Sequence, residues 1–600
     1  RRCTPDYSGR QKDKNEKEEA DDPPIQLSTM TTLQHQEEEE KETKIDEHFD
    51  VFLPTKTVCD DSIQRQHKNC GIDIEKEDVF HEEGEEETHF DLLSLQEQLF
   101  CEARLLLNIA IPTISVMICN MLLWNETASS VGRFGSKQQN ILKNGGRKGG
   151  DGNGDLLAGF ALASLTTNLS CQSFFIGILS ASDTLSPQAY GAGNYRELGL
   201  IAIRSYISTL VLLVPLMLVL WYSKGLLLFL GQDDHASTLA SEWVRLYIGG
   251  IPILLLWNVI QRFLTSQEVV MPLAYCGCFV CLVFHPLVLH LFVDHLWGYK
   301  GSAIALALSQ SMMSFLILCY MCLWRPHNKR TWPGLRYSVI LEALDIKSTM
   351  QFLSLGTGGI LALSEWWFWE ALCFLTGTFG VVPLSVHTIA YQIVPLLFML
   401  PLGVSIGLSV RLGSLLSSSN LARAKRLVIG CLVFCTIMAL VVALIVFFSG
   451  HWIVTLFTND EEIIQGCNNI WHHVSMFVFF HAIYAINSGI LRALGLQWRC
   501  GATVFICLWC VGIPLIYHLS VTKGGGLEVL WSAMTPLYIV LNIALAGCYI
   551  FADWGKISNT IRKREGLRRE NDSTEKRISS PLLAKSIGSS LSTNEYGAII

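Results

Sequence analysis

Ser364-Glu365-Trp366-Trp367-Phe368-Trp369-Glu370 lies inside an apolar segment running from about Met350 to Thr376. A helix of that length spans the hydrocarbon core of a bilayer. A carboxylate near its middle costs several kilocalories per mole unless it faces protein, water or a partner. Two carboxylates set among Trp366, Trp367 and Trp369 therefore point to a polar cavity that hosts a proton or a cation. For Glu370 a second reading stays open: it snorkels from a helix end while the tryptophans form an interfacial belt. On an α-helix Glu365 and Trp369 share a face, whereas Glu370 points roughly 140° away. The two acids are not expected to form one paired site.

Beyond this stretch, the 600 residues are 50% hydrophobic, with a mean hydropathy of +0.35. That is too apolar for a soluble multi-domain protein and predicts an all-α polytopic membrane protein. The net charge of −8 reflects mainly residues 1–97, with runs such as Glu37-Glu38-Glu39-Glu40. This segment cannot bury enough apolar surface to offset chain entropy and is expected to be a disordered cytosolic tail. Its charge implies no nucleic-acid partner. The 19 cysteines are scattered through apolar segments and read as small buried hydrophobes. His285, His290 and His387 show no metal-ligand spacing and are assigned structural roles. Neither a nucleotide-binding loop nor a cofactor motif is present, so an enzyme, an ATP-driven pump, a metal and a cofactor are all unexpected.

Apolar spans fall near 102–124, 155–180, 198–222, 242–262, 269–293 and 301–324, then near 350–376, 385–410, 427–449, 468–491, 500–520 and 527–551. Twelve transmembrane helices are predicted, as six-helix lobes over 98–324 and 350–552, joined by a basic linker at 325–349. Residues 553–600 are expected to form a C-terminal tail. Connectors after even-numbered spans carry Lys and Arg (Arg325, Lys329 and Arg330; Arg423, Lys425 and Arg426; Arg562 to Arg564), so both termini are expected in the cytosol. The first loop, with Arg133, Lys137, Lys143, Arg147 and Lys148, disagrees and is outvoted. Residues 137–154 of it are Gly- and Asn-rich and are expected to be a flexible insertion. Asn125-Glu126-Thr127 matches a glycosylation triplet but sits too close to the membrane to be expected in use.

The two halves repeat each other. Ala189-Tyr190-Gly191 parallels Leu415-Leu416-Ser417, and Leu228-Phe229-Leu230 before Asp233-Asp234 parallels Thr455-Leu456-Phe457 before Glu461-Glu462. The offsets stay within a few residues of about 228. An even helix number per repeat inserts both halves in the same orientation, with a pathway between them near the midplane.

Several motifs in order resemble the multidrug and toxic compound extrusion (MATE) family of secondary transporters, in its eukaryotic branch. They are Asp183-Thr184-Leu185-Ser186-Pro187-Gln188-Ala189-Tyr190-Gly191 after span two, and Glu365-Trp366-Trp367 in span seven. Pro401-Leu402-Gly403 through Arg411-Leu412-Gly413 and Gly489-Ile490-Leu491-Arg492 complete the set. The resemblance covers about residues 100–555. It implies twelve helices in two lobes forming a V, and export of organic cations, drugs or amphipathic metabolites in exchange for protons, sodium being the less expected coupling ion. It assigns the main proton and cation role to Glu365, carries a role to Glu370, and aligns Asn168 with a family asparagine. Relatives often have acids where this chain has Gln392, after Tyr391, and His481. A protonated His481 beside Glu365 would reduce attraction for a cationic substrate; an ordinary polar helix contact for His481 remains open.

The expected mechanism has Glu365 bind either a proton or the substrate, with Trp366 and Trp369 offering aromatic faces. Asp183 and Gln188 are read as a lobe-packing and cytosolic-gate element. The expected partners are a small organic substrate and the lipid bilayer, for a monomer in a plasma or vacuole-like membrane. A flippase for lipid-linked or amphipathic substrates is the alternative. A channel would want rings of charge or carbonyls, which the sequence does not offer.

Overall fold

A computed structural model describes residues 95–144, 153–418, 420–458 and 460–578, within one compact unit, Lys76–Ile600. The acidic segment before residue 95, for which disorder was expected, and the last 22 residues lie outside the described residues. Among the described residues there is no β-strand, and eleven helices are long and apolar enough to cross a membrane. In chain order they begin with α1 (Leu95–Asn144), α2 (Asp155–Gly191), α3 (Tyr195–Trp221), α4 (Asp234–Thr265), α5 (Met271–Leu296) and α6 (Tyr299–Trp324). The twelfth crossing is split into α7 (Ile346–Ala362) and α8 (Ser364–Gly377). There follow α9 (Val382–Ser417), α10 (Leu421–Thr455), α11 (Glu461–Ala493), α12 (Gln497–Thr522) and α13 (Gly526–Ile550). The chain is an all-α polytopic membrane protein.

One expectation needs correction. α1 continues to Asn144, so residues 137–144 of the expected flexible insertion are helical. Lys137, Gln138, Gln139, Leu142 and Lys143 are good helix formers, and the first glycine pair comes only at Gly145-Gly146. The C-terminal tail opens with a further helix, α14 (Trp554–Ile578). Its Ile561 is buried in the core and its Ser558 hydroxyl donates to the Leu416 carbonyl (2.7 Å).

Buried apolar residues gather into two large cores. One draws mainly on α1 to α6; the other draws on α8 to α14, joined by Leu106 and Ala110 of α1. The two halves meet through small residues. A Cβ on Gly177 of α2 would meet the Ile360 backbone, and one on Gly356 of α7 the Ile178 backbone, so these helices touch main chain to main chain. Such contact substitutes for the hydrophobic drive that lipid removes. Conversely, α10 exposes Ile429, Val433, Ile437, Leu440, Leu444 and Phe448 along its length, an apolar surface that suits lipid tails.

Prolines leave a second mark of duplication. Pro286 of α5 and Pro514 of α12 stand 228 positions apart, and each follows a π-helical stretch, Val280–Phe284 and Ile506–Gly512. A second π segment follows in each, starting at His290 and at His518. Proline removes an N–H and crowds the carbonyl four residues back, and the helix widens to relieve it.

The linker is clamped to α3. Arg196 forks onto the Glu342 carboxylate (3.1 and 2.6 Å), while buried Arg204 donates to the Ala343 carbonyl (2.6 Å) and to Glu197 (3.0 Å). Arg204 and Glu197 are almost wholly buried. Removing one partner strands the other charge, so Glu197→Ala is expected to destabilise the protein by about 3 kcal/mol or more. Thermal unfolding of the purified protein checks this.

Candidate functional site

The break between α7 and α8 sets the site. Leu363 interrupts the helix, and the Ser364 carbonyl accepts the Trp509 indole N–H of α12 (3.0 Å). Glu365 therefore stands in the first turn of a new helix, 3% exposed. Its Oε1 accepts from the Trp369 indole (2.8 Å) and the Tyr538 hydroxyl (2.8 Å), and lies 3.1 Å from His481 Nε2. Three helical segments thus converge on one oxygen, with α8 supplying the acid and the indole, α11 the imidazole and α13 the phenol, while α12 holds the neighbouring Ser364 carbonyl. The surroundings are aromatic. Phe398 stacks on His481 at 4.0 Å between centroids, and Phe477 packs against Trp369, His481 and Tyr538. An ionised carboxylate tolerates such burial only with this number of donors.

Glu370 has a different partner, accepting from the Tyr391 hydroxyl (3.0 Å). The two acids are separate, with the Trp369 and Tyr391 rings between them at 6.0 Å. Nearby, His387 packs on Tyr391 and Trp531 and lies 3.5 Å from the Cys373 thiol. Ser364 Oγ, His387 Nδ1, Trp531 Nε1 and Thr535 Oγ1 are buried around this cluster with no hydrogen-bond partner among the described residues.

The other expected site residues fall outside this cluster. Trp366 is half-buried, with no side-chain hydrogen bond or ring pair among the described residues, whereas Trp367 donates to Ser173 Oγ of α2 (3.2 Å) and packs on Phe174. Gln392 is exposed and makes no side-chain hydrogen bond among the described residues. Asn168 is half-buried at the start of a π-helical stretch in α2, Asn168–Gln172. Tyr538 was missed, although Trp531, Thr535, Tyr538 and Asn542 recur at helical spacing in α13 and mark one face. That face continues the network: Asn542 bonds to Asn487, which accepts from Tyr549.

Asp183 and Gln188 lie where the halves meet near the C-terminal end of α2. Asp183 pairs with Arg262 (3.0 Å) and Arg492 (3.7 Å), Thr184 donates to the Arg492 carbonyl, and Gln188 donates to the Ala493 carbonyl (2.8 Å). Arg411 bridges Glu268 and Glu102, and Glu102 also takes Arg423. α14 closes over this face: Arg564 donates to Gln188 Oε1 (2.8 Å), and Asn194 to Glu565 (3.1 Å).

The MatE family model matches residues 154–291 and 360–518, which hold Glu365, His481 and the Asp183 cluster. The chain belongs to the MatE family. It is a multi-pass membrane transporter of eukaryotic type, not an enzyme. Human multidrug and toxin extrusion protein 2 is 26% identical over 480 residues, covering 74% of this chain and 78% of that protein. Human multidrug and toxin extrusion protein 1 is 28% identical over 413 residues, 68% and 71% of the two chains. Among solved structures, the eukaryotic MATE transporter AtDTX14 superposes with a TM-score of 0.70 at 22% identity, covering 78% of this chain and 99% of that one. The twelve crossings among the described residues of this MatE protein, with α7 and α8 counted as one, agree with that fold.

Removing one donor from Glu365 tests the cluster. A hydrogen bond to a charged group contributes about 1.5–3 kcal/mol, so Tyr538→Phe should lower unfolding stability by about that amount. The same substitution in a Glu365→Gln background should cost less, because the charge it serves is gone. Equal losses in both backgrounds would mean that Tyr538 acts through packing alone.

Proposed function

We propose that this chain is a secondary antiporter that exports organic cations, drugs or amphipathic metabolites in exchange for protons by alternating access. The observation that carries the reading is the Glu365 carboxylate, buried in a membrane helix with three donors on one oxygen. A proton arriving on Glu365 removes the charge for which Trp369, Tyr538 and His481 are arranged, and loosens α8 from α11 and α13. A cationic substrate competes for the same charge once the Trp369 indole swings away, with Tyr391 and Phe398 as aromatic walls. A proton suits this oxygen better than sodium does, since N–H and O–H donors surround it where sodium would want oxygen lone pairs.

Val394, Phe398, Pro401, Met438, Val442 and His481 line a tight apolar crevice beside the charged group, with room for about one water in the state described here. In this reading the crevice widens as the halves move, and an apolar body then rests on its walls while its polar end reaches toward Glu365. In this reading Asp183, Gln188 and the Arg411 pairs form the cytosolic gate, closed here. The molecule works as a monomer, both tails cytosolic, in a plasma or vacuolar-type membrane.

Purified protein in vesicles, given an imposed pH or sodium gradient and a panel of cationic and neutral amphiphiles, tests the proposal. Uptake should follow the pH gradient and collapse with a protonophore. Uptake driven by sodium alone would overturn the assignment of the coupling ion.

A further inference from the structure

α5 ends in a π-helical stretch, His290–Leu296, at the membrane face that the charge pattern places opposite the cytosol. In an α-helix, residues five apart point about 140° away from each other, so His290 and His295 would not meet. The wider π turn brings them onto one face. His290 Nε2 and His295 Nε2 lie 3.2 Å apart, with the rings at 84° and their centroids 4.7 Å apart. Behind them, His290 Nδ1 lies 2.8 Å from Asp294 Oδ2. That bond holds the Nδ1 proton and leaves the Nε2 lone pair of His290 facing His295.

We infer that His290 and His295 form a binding site for a divalent transition-metal ion such as zinc, with Asp294 orienting the first ligand. Two imidazole nitrogens about 2.05 Å from one zinc at a tetrahedral angle stand about 3.3 Å apart, close to the spacing seen here. A carboxylate on the far nitrogen of a ligating histidine is the usual outer partner of such a site. All three side chains are exposed, so water can complete the coordination. Among the described residues no three His, Cys, Asp or Glu side chains are placed to ligate one ion together, so the protein would supply two imidazole ligands here and water the rest. The π turn is shared with the second repeat, but there the positions equivalent to His290, Asp294 and His295 are His518, Thr522 and Lys523. The ligand set belongs to the first repeat alone.

Titration of the purified full-length chain with zinc, followed by calorimetry, tests this against His290→Ala/His295→Ala. The wild type should bind one more equivalent than the double variant, and Asp294→Asn should weaken that equivalent roughly 10–100-fold. A variant-free readout is mass spectrometry after diethyl pyrocarbonate treatment, in which zinc should protect both histidines of the wild type. Equal stoichiometry in the two proteins, or labelling of His290 and His295 that zinc leaves unchanged, would mean that the rings only hydrogen-bond to each other.

Discussion

Glu365→Gln is expected to reduce pH-driven substrate efflux by roughly tenfold or more, as loss of the titratable group at a coupling site should. Glutamine keeps an oxygen for the Trp369 and Tyr538 donors, so the fold around it has little reason to fail. Its amide neither takes up a proton in the working range nor carries a charge for a cation. The comparison with Glu370 sharpens the test. Glu370 is only partly buried, holds a single donor from Tyr391 and sits on another face of α8. Glu370→Gln should therefore lower transport less. Efflux from vesicles, normalised to the amount of folded protein and measured with both variants, gives the answer. Proton-driven efflux at the wild-type rate in Glu365→Gln would falsify the mechanism.

A loss of stability as large as that of Glu197→Ala is expected from Gly359→Val. A Cβ at this position runs into Ser180 Oγ and the Gly177 carbonyl of α2, and the backbone atom cannot swing aside. Overpacking costs typically 1–3 kcal/mol, and here about 3 kcal/mol or more is expected because two main chains must separate. Gly377→Ala, where a Cβ meets nothing within 4 Å, should be nearly neutral. Unfolding of both variants in the same detergent checks the pair. Gly359→Val should also impair transport, because α7 carries the break that places Glu365.

How much of this was legible beforehand follows from the physics of each feature. The crossings could be read because a bilayer demands long apolar runs, and Glu365 stood out because a charge in such a run needs a reason. The Glu365–Trp369 contact followed from helical spacing. His481 was flagged by its place in the resemblance, but the 3.1 Å contact with Glu365 depends on how α8 and α11 pack. Tyr538 is an unremarked tyrosine in an apolar span until α13 is folded against α8. The split at Leu363 escaped notice because the segment 350–376 is continuously apolar. The interruption is held by Trp509, which bonds to the Ser364 carbonyl from 145 positions further on. The His290–His295 pair was hidden by an assumption: their spacing is wrong for an α-helix and right for the π turn found there.

α14 bears on how fast the protein can run. Arg564 and Asn194 tie this helix to the first half, and Ser558 and Ile561 tie it to the second. Through Trp554 it also touches Tyr549, the last member of the polar row that starts at Glu365. In the alternating-access cycle proposed above, this crossbar would be undone and remade at every turnover. Its strength would then help set the turnover rate of that cycle, and a ligand that gripped it would act as a brake without approaching the substrate.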